Sequence, residues 1–180
     1  MQTYIALLRG INVSGQKKIK MADFRLLLEK SGFLQVQTYI QSGNIVFKST
    51  DTDLHHLAQL MEKCIETEYH FHVPVLVLTP TQMINIKEAC PFLMDETKEN
   101  SKMGFAFLYE EPTIENTSKL LSYSYPGEEL VLKPHVAYLY YQMGGGKAKM
   151  HTNFLENKLK VTASSRNLNT VNKLIEMSKS

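Results

Sequence analysis

Cysteine is scarce in this sequence, with two residues, Cys64 and Cys90, in 180. That is too few for a disulfide framework and points to a reducing compartment, the cytoplasm. Cys64 follows Leu57 and Met61 at helical spacing and reads as a core thiol, while Cys90 precedes Pro91 at an expected helix end. Long apolar runs are lacking too. The longest, Tyr4 to Leu8, falls far short of the roughly 20 residues a membrane-crossing helix needs. The N-terminus shows no signal-peptide pattern, so no membrane partner is expected. Neither sign of charge dominates, since 20 Lys+Arg stand against 18 Asp+Glu for a net +2. With 43% hydrophobic and 21% charged residues, the chain is not of a disordered, collagen-like or coiled-coil class.

Several chemical signatures are missing as well. No stretch has the Walker G-x-x-x-x-G-K-[ST] or the dinucleotide G-x-G-x-x-G spacing. Ser42 has no G-x-S-x-G around it, and no RNP pattern accompanies the aromatics Tyr138, Tyr140 and Tyr141. Half of those aromatics should face the core, since side chains alternate along a strand. His70-x-His72 lacks a clear third ligand, so no metal site is expected.

What is present is a regular alternation of strand and helix patterns. Thr3–Leu8, Val36–Gln41, Asn44–Lys48 and Val73–Leu78 read as strands, with Ser42-Gly43 as a two-residue hairpin turn. Met21–Ser31 reads as a helix closed by a C′ glycine, Gly32. A second helix capped by Asp51 or Asp53 carries Leu54, Leu57, Met61 and Ile65 on one side. The order is βαββαβ, the ferredoxin-like pattern. After a bridging helix at 81–89 the order repeats: strand 104–109, helix 113–122, hairpin 129–132 and 136–141, helix 150–159, strand 161–164, terminal helix 168–177. The expected fold is therefore α+β, two ferredoxin-like halves in tandem at 1–80 and 81–180, with extra helices in the second. No residue-level repeat supports the duplication, which rests on element order alone. Polar Asp95–Lys102 reads as an exposed linker or loop.

Topology sorts the polar residues. With right-handed crossovers the first two strands of such a unit run parallel, so Arg9-Gly10-Ile11-Asn12 and Gln41-Ser42-Gly43-Asn44 lie at one sheet edge. The segment from Arg9 through Lys18 and Lys20 combines glycines, cations and a helix start, a combination suited to an anion. In the second half, strands three and four end at Gly144-Gly145-Gly146-Lys147-Ala148-Lys149 and Ser164-Ser165-Arg166-Asn167, so Lys147 and Arg166 should share an edge. Asn167 or Ser165 can cap the last helix.

Four of these segments resemble the domain-of-unknown-function 1697 family. They are Leu8-Arg9-Gly10-Ile11-Asn12-Val13, Lys18-Ile19-Lys20-Met21, Tyr39-Ile40-Gln41-Ser42-Gly43-Asn44 and Ser165-Arg166-Asn167-x-Asn169-Thr170-Val171. They lie at both ends, so the resemblance spans essentially the whole chain. It implies a mostly bacterial family without an established activity, and so bears on fold and compartment more than on function. Family members often carry an aromatic where Leu168 stands, and an Arg/Ser/Lys cluster where Gly146-Lys147-Ala148-Lys149 stands.

The near-neutral charge conceals an asymmetry. Residues 1–50 carry net +5, residues 51–130 net −9 and residues 131–180 net +6. A polyanion is therefore excluded only as a uniform coating, and the search narrows to the two ends. The expected function is binding of a phosphorylated small ligand, such as a nucleotide or phosphate, or of nucleic acid. Arg9, Lys18, Lys20, Lys147, Lys149 and Arg166 would supply charge, and Asn12, Ser42, Asn44 and Asn167 hydrogen bonds. One competing reading is an enzyme on a small polar or phosphorylated metabolite, with Ser42 or a lysine as nucleophile or base. Another is a protein-interaction module without a ligand. The sequence names no acid–base pair, cofactor or oligomeric state.

Overall fold

Capping signals place the helices in the computed structural model, which describes residues 1–179. Asp53 accepts the N–H groups of His55 and His56 and so starts helix α2 (Leu54–Tyr69), which ends with His70 in the left-handed region. Helix α1 (Met21–Lys30) closes on Gly32 at φ +96°. There Phe33 N–H reaches Leu28 O (3.1 Å) and Gly32 N–H reaches Glu29 O (3.2 Å), the paired bonds of a Schellman end. By contact density the chain divides into two units, Met1–Ile84 with Lys173–Ser180, and Asn85–Asn172. The division falls inside helix α3 (Pro80–Glu88) rather than at 80/81.

In the first unit, β1 (Gln2–Leu8), β2 (Leu34–Tyr39), β3 (Asn44–Ser49) and β4 (Val75–Leu78) form a sheet of order β2-β3-β1-β4. Every neighbouring pair is antiparallel, so β1 runs parallel to β2 and β3 to β4. This is the ferredoxin-like arrangement. Asn44 faces Leu7 on one side and Tyr39 on the other, which fixes the shared edge expected for the ends of β1 and β2. The hairpin turn is longer than two residues: β2 stops at Tyr39, and Ile40 takes φ +49°. Asn44 explains the early stop, because its side-chain amide takes the Tyr39 carbonyl at 3.0 Å. Alternation puts Tyr4, Ala6 and Leu8 against Phe24 and Leu28 of α1 and Met61 and Ile65 of α2. Ile5, Leu7 and Val46 on the other face are buried too, so neither face of the sheet is open. Cys64 packs against this core as its spacing suggested.

The second unit repeats the plan. Strands β5 (Met103–Leu108), β6 (Glu128–Lys133), β7 (Val136–Tyr141) and β8 (Ala163–Asn167) stand in order β6-β7-β5-β8, again antiparallel throughout. Helix α4 (Ile114–Leu121) starts at Thr113, whose hydroxyl accepts Asn116 N–H. Helix α5 (Thr152–Leu159) begins two residues later than its apolar pattern suggests, because the His151 ring caps it and Met150 is buried ahead of it. The fourth strand is also displaced. Lys160 leaves α5 at φ +59°, Val161 and Thr162 complete the turn, and pairing with β5 starts at Ala163. Arg166 and Asn167 are consequently strand residues, and α6 (Leu168–Met177) follows directly.

Tyr138 and Tyr140 are both buried, so neither offers a base-stacking surface. The Tyr138 hydroxyl bonds to Ile86 O at 2.8 Å, and burial pushes it up to about 12. Asp95–Lys102 is more than a linker. Lys98 stacks over the Tyr140 ring at 4.3 Å and pairs with Glu129, a contact that holds its side chain at 13% exposure. That pairing raises the Lys98 ammonium above its ordinary range. Among the described residues no helix is long and apolar enough to cross a membrane.

Candidate functional site

The first edge is built around the exit of β1. Leu8 N–H donates to Gly43 O (2.9 Å) and Arg9 N–H to Pro74 O (3.0 Å), so the strand end is held from both sides. Gly43 has φ +77°, and a Cβ there would lie 2.6 Å from Leu8 Cβ and 3.0 Å from Ile11 Cδ1. Only glycine fits both constraints. Asn12 locks the following loop. Its amide donates to Ile19 O (2.9 Å) and Gln41 O (2.8 Å), while its Oδ1 accepts Ile19 N–H (2.9 Å). Asn44 is fully buried and donates to Tyr39 O and to Ser42 Oγ at 2.9 Å. The hydrogen bonds that Asn12 and Asn44 were expected to offer a ligand thus go to the protein itself. Arg9 is half-buried at the strand end, and Lys18 and Lys20 are exposed. Lys17 donates to His72 O at 2.7 Å.

The second edge, at the ends of β7 and β8, carries two depressions divided by Tyr141. One, of about 240 Å³, is lined by Ser101, Lys102, Gly145, Ser165, Arg166 and Asn167 among others. Arg166 is only 9% exposed, and its Nη1 donates to Ser165 O at 2.8 Å. Lys102 leans on Glu99 at 2.6 Å, which raises its ammonium. Asn167 Oδ1 caps α6 by accepting Thr170 N–H at 2.8 Å. The other depression, of about 370 Å³, holds Tyr125, Pro126, Glu128, Met143, Lys147 and Lys149. Lys147 and Arg166 therefore share the sheet edge but face separate hollows. The Tyr141 ring comes close to glycine backbone, its Cε2 lying 3.2 Å from a Cβ built on Gly104 and 3.5 Å from one built on Gly145. Its hydroxyl, raised by burial, bonds to Met150 O at 3.0 Å.

The glycine loop itself has an internal anion. Glu128 accepts Lys149 N–H at 2.6 Å through one carboxylate oxygen and Met150 N–H at 2.8 Å through the other. A carboxylate thus occupies these two N–H groups, and a second anion at the same place would meet its charge. The Arg166 hollow is free of carboxylates in its lining. The sequence did not single out Glu128 or Lys102, and Tyr141 stood out only as one of the strand aromatics. Lys102 could have been found by topology, because β5 starts where β8 ends. Nothing local pairs Glu128 with Lys149. Among the described residues no three His, Cys, Asp or Glu side chains gather to hold a metal. Cys90 is buried, which raises its thiol and keeps it protonated.

A family model described as a protein of unknown function, DUF1697, matches residues 1–138. The chain belongs to this family. The match takes in the Arg9 and Ser42 segments of the DUF1697 pattern and stops before Arg166. No curated protein matches the chain. Among solved structures it is similar to the conserved bacterial protein SP0830 from Streptococcus pneumoniae, with 25% identity, a TM-score of 0.74 and 98% of each chain covered.

Proposed function

We propose that this DUF1697 protein binds a phosphorylated small molecule at the strand-end edge of its second unit. The phosphate enters the Arg166 hollow, and the less polar part of the ligand lies beyond Tyr141 between Tyr125 and Met143. The observation that carries this reading is Arg166, a residue 9% exposed, on the wall of a hollow without carboxylates. A planar guanidinium matches phosphate in geometry and can take it up with two parallel bonds. Lys102, Ser101 and Ser165 line the same hollow. At about 240 Å³ it is smaller than the roughly 300–1,000 Å³ of whole-ligand pockets. It suits the phosphate end of a molecule that continues into the neighbouring depression.

Calorimetric titration with nucleoside monophosphates and sugar phosphates, each beside its unphosphorylated parent, tests this. Binding should need the phosphate. Arg166→Gln should weaken it by about tenfold or more, as expected for a lost charge-assisted bond of ~1.5–3 kcal/mol. Circular dichroism checks that the variant folds, and Lys102→Ala serves if it does not. Equal binding of parent and phosphate, or undiminished binding in a folded Arg166→Gln chain, would overturn the assignment.

A further inference from the structure

We infer that the β1–α1 edge of the first unit is a docking surface for single-stranded nucleic acid, separate from the Arg166 hollow. The segment between β1 and α1 is a small hairpin, with Val13 bridged to Gln16. Ser14 (φ +49°) and Gly15 (φ +76°) form its tip, and Asn12 (φ +55°) and Lys17 (φ +44°) are also left-handed. Side chains rarely adopt that region without compensation, and here Asn12's three bonds and the Lys17 tie to His72 O hold the shape. The core does not need the tip, for Val13 is 58% exposed and Lys18 and Lys20 face solvent. A projection of this kind, tied down at its base, presents side chains outward.

What it presents is cationic and apolar together. The bond from Asn12 to Gln41 O seats the hairpin beside the β2–β3 turn, where Ile40 is 51% exposed and Tyr39 half-buried. Residues 1–50 contain two acids, Asp23 and Glu29, and Glu29 already pairs with Arg25 at 3.3 Å. The hairpin and the turn themselves, residues 9–20 and 39–44, carry Arg9, Lys17, Lys18 and Lys20 and no acid, a composition that complements a polyanion. A duplex would engage the lysines and leave Val13, Tyr39 and Ile40 in water. A single strand offers phosphates to Lys18 and Lys20 while its unpaired bases meet the apolar groups. An acidic protein segment would use the lysines alone.

Fluorescence anisotropy of the full chain with labelled mixed-sequence single-stranded RNA and DNA, a matched duplex and heparin decides the matter. Single strands should bind most tightly at low salt. In the Lys18→Ala/Lys20→Ala chain the slope of log affinity against log salt should be shallower by about 1.4, at about 0.7 per phosphate contact. Both lysines are exposed, so folding is not at stake. Tyr39→Ala with Ile40→Ser should weaken single strands and leave heparin unchanged. Equal affinity for heparin or duplex, or a slope unmoved by the lysine changes, would overturn the inference. Arg166→Gln should leave this binding intact while weakening phosphate binding by about tenfold or more; weakening of both would show one site where two are assigned.

Discussion

The two units leave their first strands by the same backbone bonds and then diverge. Leu8 N–H to Gly43 O has its counterpart in Leu108 N–H to His135 O, and Arg9 N–H to Pro74 O in Tyr109 N–H to Thr162 O. At the start of the fourth strand, Val75 N–H donates to Glu62 and Ala163 N–H to Glu156. Beyond that frame, the first unit inserts the lysine-bearing hairpin of residues 9–20, and the second runs through Glu110 and Glu111 straight to the Thr113 cap. At the opposite edge the second unit carries the elaboration instead, with the glycine loop and Arg166. The repeated plan thus keeps these main-chain bonds and the glutamate that closes the fourth strand, and each unit has spent a different edge on charge.

The sharpest test of that comparison is at the paired turn positions. Gly43→Ala should destabilise by about 3 kcal/mol or more, combining overpacking with left-handed strain, because its Cβ would lie 2.6 Å from Leu8 Cβ. His135 already carries a side chain at the matching position and is exposed, so His135→Ala should stay within about 0.5 kcal/mol. Urea denaturation measures both, and comparable losses would break the asymmetry. Next in size are the glutamates that close the fourth strands. Glu62→Ala and Glu156→Ala should each cost about 1–3 kcal/mol by leaving a partly buried strand N–H without its acceptor. Hydrogen exchange at Val75 and Ala163 should rise together. A rise at one alone would show that the two bonds are not equivalent.

The smallest effect is a response to acid. Asp51 accepts Asp53 N–H and pairs with His56 at 2.6 Å, and these bonds hold its carboxyl below the ordinary 3.8. A depressed carboxyl contributes stability above its unfolded value and loses it as pH falls through the lower folded value. The start of α2 should therefore loosen in acid below about pH 4, seen as faster amide exchange at residues 53–56. The start of α4 uses the Thr113 hydroxyl and should not respond in that range. Equal acceleration at both helices would contradict the assignment.

Much of the frame was legible from pattern. Period-2 and helical spacing located each strand and helix, and the crossover rule brought Arg9 beside Ser42 and Arg166 beside the glycine loop. The repeat was hard to see residue by residue because most of its shared bonds are made by backbone, the Glu62 and Glu156 carboxylates apart. Arg9 and Tyr109, Gly43 and His135, Pro74 and Thr162 have nothing in common as side chains. The site was less legible. An asparagine amide serves backbone or ligand equally well, and only distance shows that Asn12 and Asn44 turn inward. The boundary of β8 was misplaced because Val161 and Thr162 look strand-like, yet they turn the chain after the left-handed Lys160. Glu128 lies 21 residues before Lys149, beyond the reach of any local pattern.

The Glu128 clamp has a consequence for how a ligand would be received. Because its two oxygens already fasten the Lys149 and Met150 amides, the glycine loop is pre-organised before any encounter. Association then avoids the ordering entropy that a slack glycine-rich segment would forfeit. The cost is selectivity by repulsion: a molecule with a second anionic group reaching toward the loop meets a fixed negative charge. Under the proposed function, ligands with one phosphate group and an uncharged remainder would be preferred over those with a second anionic group.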